Sequence, residues 1–241
     1  MKRLLNITDN DWKILKEIYV DREDYLQKKL SNNYPIQYLI GHVNFYGLEI
    51  KVDERVFIPR FETEGLVAQT IKYINELEIK NPKILDICSG SGAIAISIAH
   101  LLPTAEVSAI ELSKPAITLA KENAKNNNVK VKFKRKDFLK VKKTDDYDVI
   151  ISNPPYVRKD EEMDRENYYE PQIAFFAENK GLNFYEEIFK KCNKKTKLIA
   201  LEIGCEQGSD ILDMAKNYFP NKKIILKKDD TKRDRYIFIL C

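Results

Sequence analysis

The chain of 241 residues has few of the residues that build metal sites and disulfide frameworks. It contains 4 cysteines, none in a Cys-x-x-Cys spacing, and only 2 histidines, so we expect neither a metal site nor a disulfide-stapled fold. These residues are Cys88, Cys192, Cys205, Cys241, His42 and His100. With 8 glycines and 9 prolines, the sequence is also too poor in both residues to be collagenous or of low complexity.

Long apolar runs and a strong charge excess are absent as well. No stretch of about 18 apolar residues occurs, and the segment after Met1 soon turns polar, so we expect a cytoplasmic protein with no membrane contact. The 41 Lys and Arg against 37 Asp and Glu leave a net charge of +4, below that of a dedicated nucleic-acid binder. Because 44% of the residues are hydrophobic, a packed core is expected, and we expect a monomer.

The apolar pattern divides the chain into three parts. Residues 1–34 have a helical period and predict a short helical region, residues 35–60 predict a β-hairpin linker, and residues 61–241 form the main domain. After Pro82, aliphatic runs alternate with helical segments, which predicts an α/β fold with a mostly parallel sheet. Seven strands are expected, at 84–87, 107–110, 129–133, 149–152, 198–203, 224–226 and 236–240. The connection 227–235 is too short for a crossover helix, so the last strand should be antiparallel.

A glycine turn follows the first of these strands. Gly90 and Gly92 allow a ligand to approach the backbone closely, and the apolar helix 94–102 then presents unpaired N–H groups at its start. This arrangement predicts a nucleotide-type ligand. The run 90–95 also satisfies Gly-x-Gly-x-x-Ala, so on this motif alone an NAD-dependent oxidoreductase or a noncatalytic nucleotide-binding regulator stays open.

Two carboxylates follow the same strand edge. Asp86 lies just before the turn, and Glu111 closes the second strand about 20 residues later, where a carboxylate can accept hydrogen bonds from both ribose hydroxyls. After the third strand, Asp137 and Phe138 offer a polar contact and an apolar face for an adenine ring. These residues are the predicted binding site of an adenosine cofactor.

The motif Asn153-Pro154-Pro155-Tyr156 follows the strand 149–152 at the same edge. Its two prolines fix φ and lack N–H groups, so the Asn153 side chain and nearby carbonyls are held as rigid acceptors for an NH₂ group. Because the lone pair of a planar NH₂ group is delocalised, catalysis requires that its nitrogen be positioned in line with an electrophilic methyl group. Tyr156 can pack against the planar substrate.

The motif resembles that of the class I S-adenosylmethionine-dependent methyltransferases, and further segments narrow the resemblance to the HemK/PrmC-type protein-(glutamine-N5) methyltransferases. The segments are Pro35–Gly41, Phe57–Glu64, Asn153–Val157, Tyr169–Pro171 and Gly181–Leu182. The resemblance covers about residues 35–241. It implies a Rossmann-like fold and methyl transfer from S-adenosylmethionine, which leaves S-adenosylhomocysteine. The implied acceptor, in translation termination, is the amide nitrogen of the glutamine in the Gly-Gly-Gln motif of peptide chain release factors.

The resemblance also implies roles for individual residues. The substrate amide would be held by Asn153, Pro154, Pro155 and Tyr156. The implied cofactor residues are Cys88, Ser89, Gly90, Ser91, Gly92, Glu111, Phe138 and Asn153.

Three departures from the family pattern lead to expectations. Cys88 stands where the family usually has glycine, and a cysteine is tolerated there if its backbone φ is negative. Phe61 replaces the usual proline of the Ile-Pro-Arg-Pro-Glu-Thr-Glu segment. Residues 1–34 are shorter than the family's helical bundle and are interpreted as a truncated docking domain for the substrate.

Charge favours a protein substrate over a nucleic acid. The loop 158–170 is acidic and would repel a phosphate backbone, whereas it suits a basic protein. The basic residues of 114–143 are interpreted as a solvated surface. The alternative function is methylation of adenine N6 or guanine N2 in DNA or RNA, since the same motif can hold a flipped base.

Overall fold

The computed structural model describes residues 8–144, 146–192 and 194–241. Residues 1–7 of the predicted N-terminal region therefore lie outside the described residues. The remainder of that region forms two helices, α1 (Asp9–Ile18) and α2 (Glu23–Ser31). Thr8 and Asp11 form a capping box at the start of α1, which satisfies two backbone N–H groups of the first turn.

A small hairpin follows the N-terminal helices, as the sequence predicts. The short helix α3 (Ile36–Ile40) leads into β1 (His42–Phe45) and β2 (Leu48–Lys51), which pair antiparallel. The side chain of Asn123 accepts from the Lys51 backbone N–H at 2.9 Å and donates to the carbonyl oxygens of Lys51 and Ser91 at 3.1 and 3.0 Å. One buried amide thus fixes the hairpin beside the glycine turn.

Nine further strands follow along the chain. They are β3 (Lys83–Ile87), β4 (Glu106–Glu111), β5 (Lys132–Arg135), β6 (Val149–Ser152), β7 (Val157–Arg158), β8 (Phe176–Ala177), β9 (Leu198–Glu202), β10 (Lys223–Lys228) and β11 (Asp234–Leu240). Seven form the main sheet in the order β10-β11-β9-β6-β3-β4-β5, and β11 is antiparallel to both its neighbours. The mostly parallel seven-stranded sheet with an antiparallel last strand is confirmed.

The predicted third strand has the wrong bounds. Residues 129–131 lie in the loop after the preceding helix, which ends at Asn126; the Val129 N–H donates back to the Ala124 carbonyl, and Asn128 has a φ of +55°. The strand β5 therefore begins only at Lys132. The two valines, Val129 and Val131, still pack against the core, and this packing explains their apolar pattern.

Helices cover both faces of the sheet. They are α4 (Phe61–Glu76), α5 (Ala93–Leu101), α6 (Lys114–Asn126), α7 (Asn183–Lys191) and α8 (Gly208–Tyr218). Successive residues of a strand point to opposite faces of the sheet, so each face has its own hydrophobic core. Ile84 packs with α4 and α5 on one face, and Leu85 packs with α7 and α8 on the other. The parallel strands end together between these layers, where open α/β sheets bind ligands. No helix in the described ranges is long and apolar enough to cross a membrane.

Candidate active site

A cavity of about 410 Å³ opens at the carboxyl ends of β3, β4 and β6. Most of the predicted site residues line it together, namely Cys88, Ser89, Gly90, Ser91, Glu111, Phe138, Asn153, Pro154, Pro155 and Tyr156. Asp86 and Gly92 lie behind this lining. The cofactor half and the amide half predicted from sequence thus share one continuous space.

Glu111 is fixed by the backbone around it. Its Oε2 accepts from the Gly90 N–H at 2.9 Å and its Oε1 accepts from the Ser113 N–H at 2.8 Å. A carboxylate has about four lone-pair positions, so two acceptor positions remain. These two acceptor positions fit a ribose with two adjacent hydroxyls, which would donate to them.

Gly92 has a packing role. It has a φ of +84°, and an added Cβ would lie 3.1–3.2 Å from Ile96, Ala120 and Phe133. Gly92 therefore lets α5 start close to α6 and β5. It shapes the turn without lining the cavity.

The condition for Cys88 is not met, because its φ is +61°. The chain must turn immediately after β3 so that the Ser89 N–H can donate to the Ile110 carbonyl at 3.2 Å. A left-handed residue at Cys88 makes this turn, at a cost of about 1–2 kcal/mol for a residue with a Cβ. The turn explains why glycine is the usual residue there.

The Cys88 thiol is held in its neutral form. Burial raises its pKa well above the usual range, and the charges of Glu111, Asp86 and Asp137 raise it further. Cys205, by contrast, is exposed. Because the thiolate is the reactive form, we expect iodoacetamide at about pH 8 to label Cys205 at least about tenfold faster than Cys88. Peptide mass mapping over time measures both rates, and faster labelling of Cys88 would contradict this description of the turn.

Asp86 is fully buried, and neither carboxylate oxygen has a hydrogen-bond partner among the described residues. Burial raises its pKa well above the usual range, the Ala95 backbone N–H in the first turn of α5 lowers it, and Glu111 raises it. The side chain therefore lies beneath the glycine turn in a strongly desolvated position. A buried carboxyl group without partners costs stability, and acids perturbed in this way cluster at functional sites.

Phe138 provides an apolar wall that a lysine supports from behind. The ring is buried, and Lys191 Nζ lies 5.1 Å from its centroid. The same ammonium donates to the carbonyl oxygens of Phe138 and Leu139 at 3.1 and 2.7 Å and pairs with Glu187 at 2.7 Å. Asp137 caps this turn by accepting from the Leu139 N–H at 3.0 Å. The wall is thus rigid before any ligand binds.

Asn153 follows β6, and its side-chain NH₂ group points toward Thr63 and Glu202. Its Nδ2 donates to Thr63 Oγ1 at 3.3 Å, and no described residue donates to its Oδ1. Just before it, the Ser152 hydroxyl donates to the Ile87 carbonyl at 2.5 Å and ties β6 to β3. Asn153 therefore faces the cavity with an acceptor oxygen available.

The remainder of the motif is held by Gln207. The Gln207 Nε2 donates to the Tyr156 carbonyl at 3.0 Å and to the Lys180 carbonyl at 3.3 Å, while its Oε1 accepts from the Gly204 N–H at 3.1 Å. Burial raises the pKa of Tyr156, so its phenol stays protonated at neutral pH. Tyr156 therefore acts as a neutral, packed side chain.

The acidic loop forms the rim of the cavity, with one exception. Glu161, Glu162 and Asp164 are exposed and line the opening. Glu170, which sequence alone groups with them, is buried; it accepts from the Ile58 N–H at 2.8 Å and pairs with Arg60 at 2.5 Å. It joins the loop to the segment before α4.

The other departure, Phe61, is structurally mild. It is the first residue of α4 and is 73% exposed, with Arg60 in an extended conformation before it. Proline is favoured at this first position but is not required, because the N–H there needs no partner within the helix.

Sequence reasoning missed three side chains that contact residues of the cavity lining, namely Lys191, Glu202 and Gln207. Each reaches the site from an element distant in sequence. The only local signal is the acidic Glu202 at the end of an otherwise apolar strand. In the described ranges, no three His, Cys, Asp or Glu residues converge as metal ligands.

Comparisons with known proteins agree with this architecture. A family model, that of the methyltransferase small domain, matches residues 66–168. The ribosomal protein L11 methylase of Lactobacillus delbrueckii subsp. bulgaricus has a related structure, with a TM-score of 0.51 and 20% identity over 79% of this chain and 82% of that one. At this identity the likeness shows the fold alone.

Two relatives are much closer in sequence. The release factor glutamine methyltransferase of Lactococcus lactis subsp. lactis (strain IL1403) is 42% identical over 239 residues, which cover 97% of this chain and 84% of that protein. The protein of the same name from Streptococcus pneumoniae (strain ATCC BAA-255 / R6) is 36% identical over 246 residues, which cover 98% of this chain and 86% of that protein. The resemblance seen in the motifs is confirmed, and the chain belongs to the release factor glutamine methyltransferase family.

Proposed function

We propose that this protein transfers a methyl group from S-adenosylmethionine to the side-chain amide nitrogen of the glutamine in the Gly-Gly-Gln motif of release factors. The observation that carries the proposal is that the Asn153 amide oxygen and the Glu111 carboxylate face one cavity of about 410 Å³. An acceptor for a planar NH₂ group and an acceptor for a ribose therefore share one space, and the reaction needs both.

The cofactor would be held by residues that the structure has already ordered. Glu111 has two acceptor positions left for ribose hydroxyls, Phe138 offers its ring to adenine, and the turn 88–91 brings backbone close to the ligand. When bound, S-adenosylmethionine supplies an electrophilic methyl carbon on a positively charged sulfur. The Glu111 carboxylate, which lines the same cavity, favours that positive charge.

The substrate amide would be held at the other end of the cavity. Asn153 Oδ1 and the Pro154 carbonyl accept its two hydrogens, while Pro155 and Tyr156 pack against its plane. The amide nitrogen thereby points at the methyl group, and positioning replaces strong nucleophilicity. The N–C bond would form as the bond between the methyl carbon and the sulfur breaks, and the nitrogen would release one proton to water. Tyr156 takes no part in this proton transfer, because its phenol stays protonated.

The rim and the N-terminal part suit a protein substrate. Glu161, Glu162 and Asp164 give the opening a negative charge, which attracts a basic loop and repels a nucleic-acid backbone. Helices α1 and α2 stand before the hairpin and would add a docking surface for the release factor. Methylation of adenine or guanine in nucleic acid is the less favoured function.

The proposal is tested by intact mass of a purified release factor after incubation with this protein and S-adenosylmethionine. We expect the factor to gain the mass of one methyl group, and a Gln-to-Ala variant of its Gly-Gly-Gln motif to gain none. An equal gain of mass by both factors would show that a residue other than this glutamine is methylated. If neither factor gains mass while S-adenosylmethionine still binds, release factors are excluded as the substrate.

A further inference from the structure

A buried carboxylate lies behind the substrate end of the cavity and is not used by the reaction described above. Glu202 is the last residue of β9 and only 2% exposed, and its Oε2 accepts from the Thr63 hydroxyl at 2.7 Å. Thr63, in the first turn of α4, is 4% exposed and accepts from Asn153 Nδ2 at 3.3 Å. The three side chains form a hydrogen-bonded relay from the sheet interior to the cavity.

The direction of these hydrogen bonds follows from the number of protons available. An ionised carboxylate can only accept, so Glu202 takes the one hydroxyl proton of Thr63. Thr63 Oγ1 then has only lone pairs to offer, and Asn153 must turn its NH₂ group toward it. The Asn153 oxygen is thereby left facing the cavity, where the substrate amide needs an acceptor.

The charged neighbours of Glu202 come from two elements. Arg235 of β11 is a permanent cation that also pairs with Asp229 at 3.0 Å, and Glu62 of α4 contributes a like charge. The surrounding phenols of Tyr156, Tyr185 and Tyr236 all have raised pKa values and stay neutral. The Tyr185 hydroxyl donates to the Glu202 backbone carbonyl at 3.2 Å and leaves the carboxylate free for the relay.

We propose that Thr63 and Glu202 are positioning residues, which hold the Asn153 amide in the orientation that accepts the substrate only while Glu202 is ionised. The proposal rests on the proposed function, because it assigns the oxygen of Asn153 to the substrate amide. Neither Thr63 nor Glu202 is required to touch substrate or cofactor. Their effect passes through the Asn153 side chain.

Protonation of Glu202 reverses the relay. A protonated carboxyl donates to Thr63 Oγ1, so the Thr63 proton becomes free to donate to the Asn153 oxygen. The Asn153 amide then presents its NH₂ group to the substrate NH₂ group, and the acceptor is lost. Burial raises the pKa of Glu202 to about 7, with Glu62 adding to the rise, against lowering by Thr63, Arg235 and Asn153. The productive arrangement is therefore present above about pH 7 and lost below it.

The first test removes the hydroxyl without changing the shape of the side chain. We expect Thr63→Val to lower kcat about tenfold, the effect of one misplaced hydrogen bond, while the KM for S-adenosylmethionine stays unchanged. Thr63→Ser keeps the hydroxyl and should retain most of the activity. Thr70→Val is the matched control, because Thr70 is also buried on α4 and donates only to the Leu66 carbonyl at 2.7 Å. Wild-type kcat in Thr63→Val would overturn the proposal.

The second test is the pH dependence of kcat. For the wild-type protein we expect kcat to rise through about pH 7 and to level off about one unit above it, as Glu202 ionises. Glu202→Gln cannot ionise, so its kcat should not rise in this range. The same rise in both proteins would assign it to another group and overturn the role of Glu202.

A third measurement separates this relay from the proposed function. The side-chain NH₂ resonances of Asn153, identified by their loss in Asn153→Ala, should shift with pH around 7 in the free wild-type protein and stay constant in Glu202→Gln. If the shift occurs but no release factor is methylated, the proposed function fails and the relay stands. If these chemical shifts stay constant with pH in the wild-type protein, the proposed role of Glu202 is wrong for any substrate.

Discussion

Replacing Asn153 by alanine should abolish methyl transfer almost completely while S-adenosylmethionine still binds. We expect kcat to fall at least about hundredfold, because a single preorganised polar group at a reacting centre contributes about two to three powers of ten. The amide nitrogen of the substrate is a weak nucleophile, and without the Asn153 oxygen nothing fixes its hydrogens opposite the Pro154 carbonyl. Glu111 and Phe138 lie in the other half of the cavity and remain intact.

The measurement pairs single-turnover methylation of a release factor with calorimetric binding of S-adenosylmethionine. Asn127→Ala is the matched control, since Asn127 is also half-buried and donates to the Glu49 carbonyl at 2.9 Å, outside the cavity. We expect this control to lose some stability but to keep its full turnover. Full turnover by Asn153→Ala would exclude Asn153 from the chemistry, whereas equal loss by both variants would indicate general unfolding.

The sequence predicts those parts of the site that are local along the chain. The glycine turn joins β3 directly to α5, and Asn153–Tyr156 directly follows β6, so a strand pattern and a short motif are enough to locate them. Because the carboxyl ends of parallel strands meet at one edge, their convergence in one cavity also follows from the predicted topology.

Contacts between distant segments could not be predicted in the same way. Thr63 and Glu202 are 139 residues apart, and Thr63 and Asn153 are 90 apart. From sequence, Glu170 is grouped with the exposed acidic residues of its loop. In the structure it is buried and pairs with Arg60, 110 residues away. The packing of α4 against β9 brings Thr63 to Glu202, and no periodicity in the sequence encodes side-chain partners of this kind.

Backbone conformation is the second feature that could not be predicted from the sequence. The condition of a negative φ at Cys88 treats the position as an ordinary residue, yet the turn between β3 and α5 requires +61°. Similarly, Gly92 is predicted to contact a ligand, whereas the space for a Cβ is filled by neighbouring side chains. In both cases the determining factor is the position of another element relative to the turn, which a single sequence does not state.

Gly181 is the position where we expect the largest combined loss of stability and activity from adding one methyl group. It has a φ of +85°, and a Cβ there would lie 2.2 Å from the Tyr156 carbonyl oxygen and 2.5 Å from Gln207 Nε2. Alanine would therefore separate the two groups whose hydrogen bond at 3.0 Å holds the motif loop. We expect Gly181→Ala to lose about 3 kcal/mol or more of unfolding free energy, from left-handed strain together with overpacking.

The loss of activity should exceed what the lower stability explains, because the clash moves Tyr156 and the preceding prolines relative to the cofactor end. A displacement of about 1 Å at a reacting centre costs about hundredfold in rate, so we expect kcat of the folded fraction to fall by about that factor. Gly41→Ala separates the two causes. Gly41 has nearly the same φ, +87°, but nothing lies within 4 Å of an added Cβ.

Gly41→Ala should therefore lose only the strain, about 1–2 kcal/mol, and keep full turnover. Urea unfolding and single-turnover methylation of both variants measure the two effects under the same conditions. If both lose equal stability and both retain turnover, the close approach of Gly181 to the Tyr156 carbonyl does not control the motif loop. If Gly181→Ala alone loses turnover, the contact from residue 181 through Gln207 is what holds Asn153–Tyr156 in register with the cofactor end.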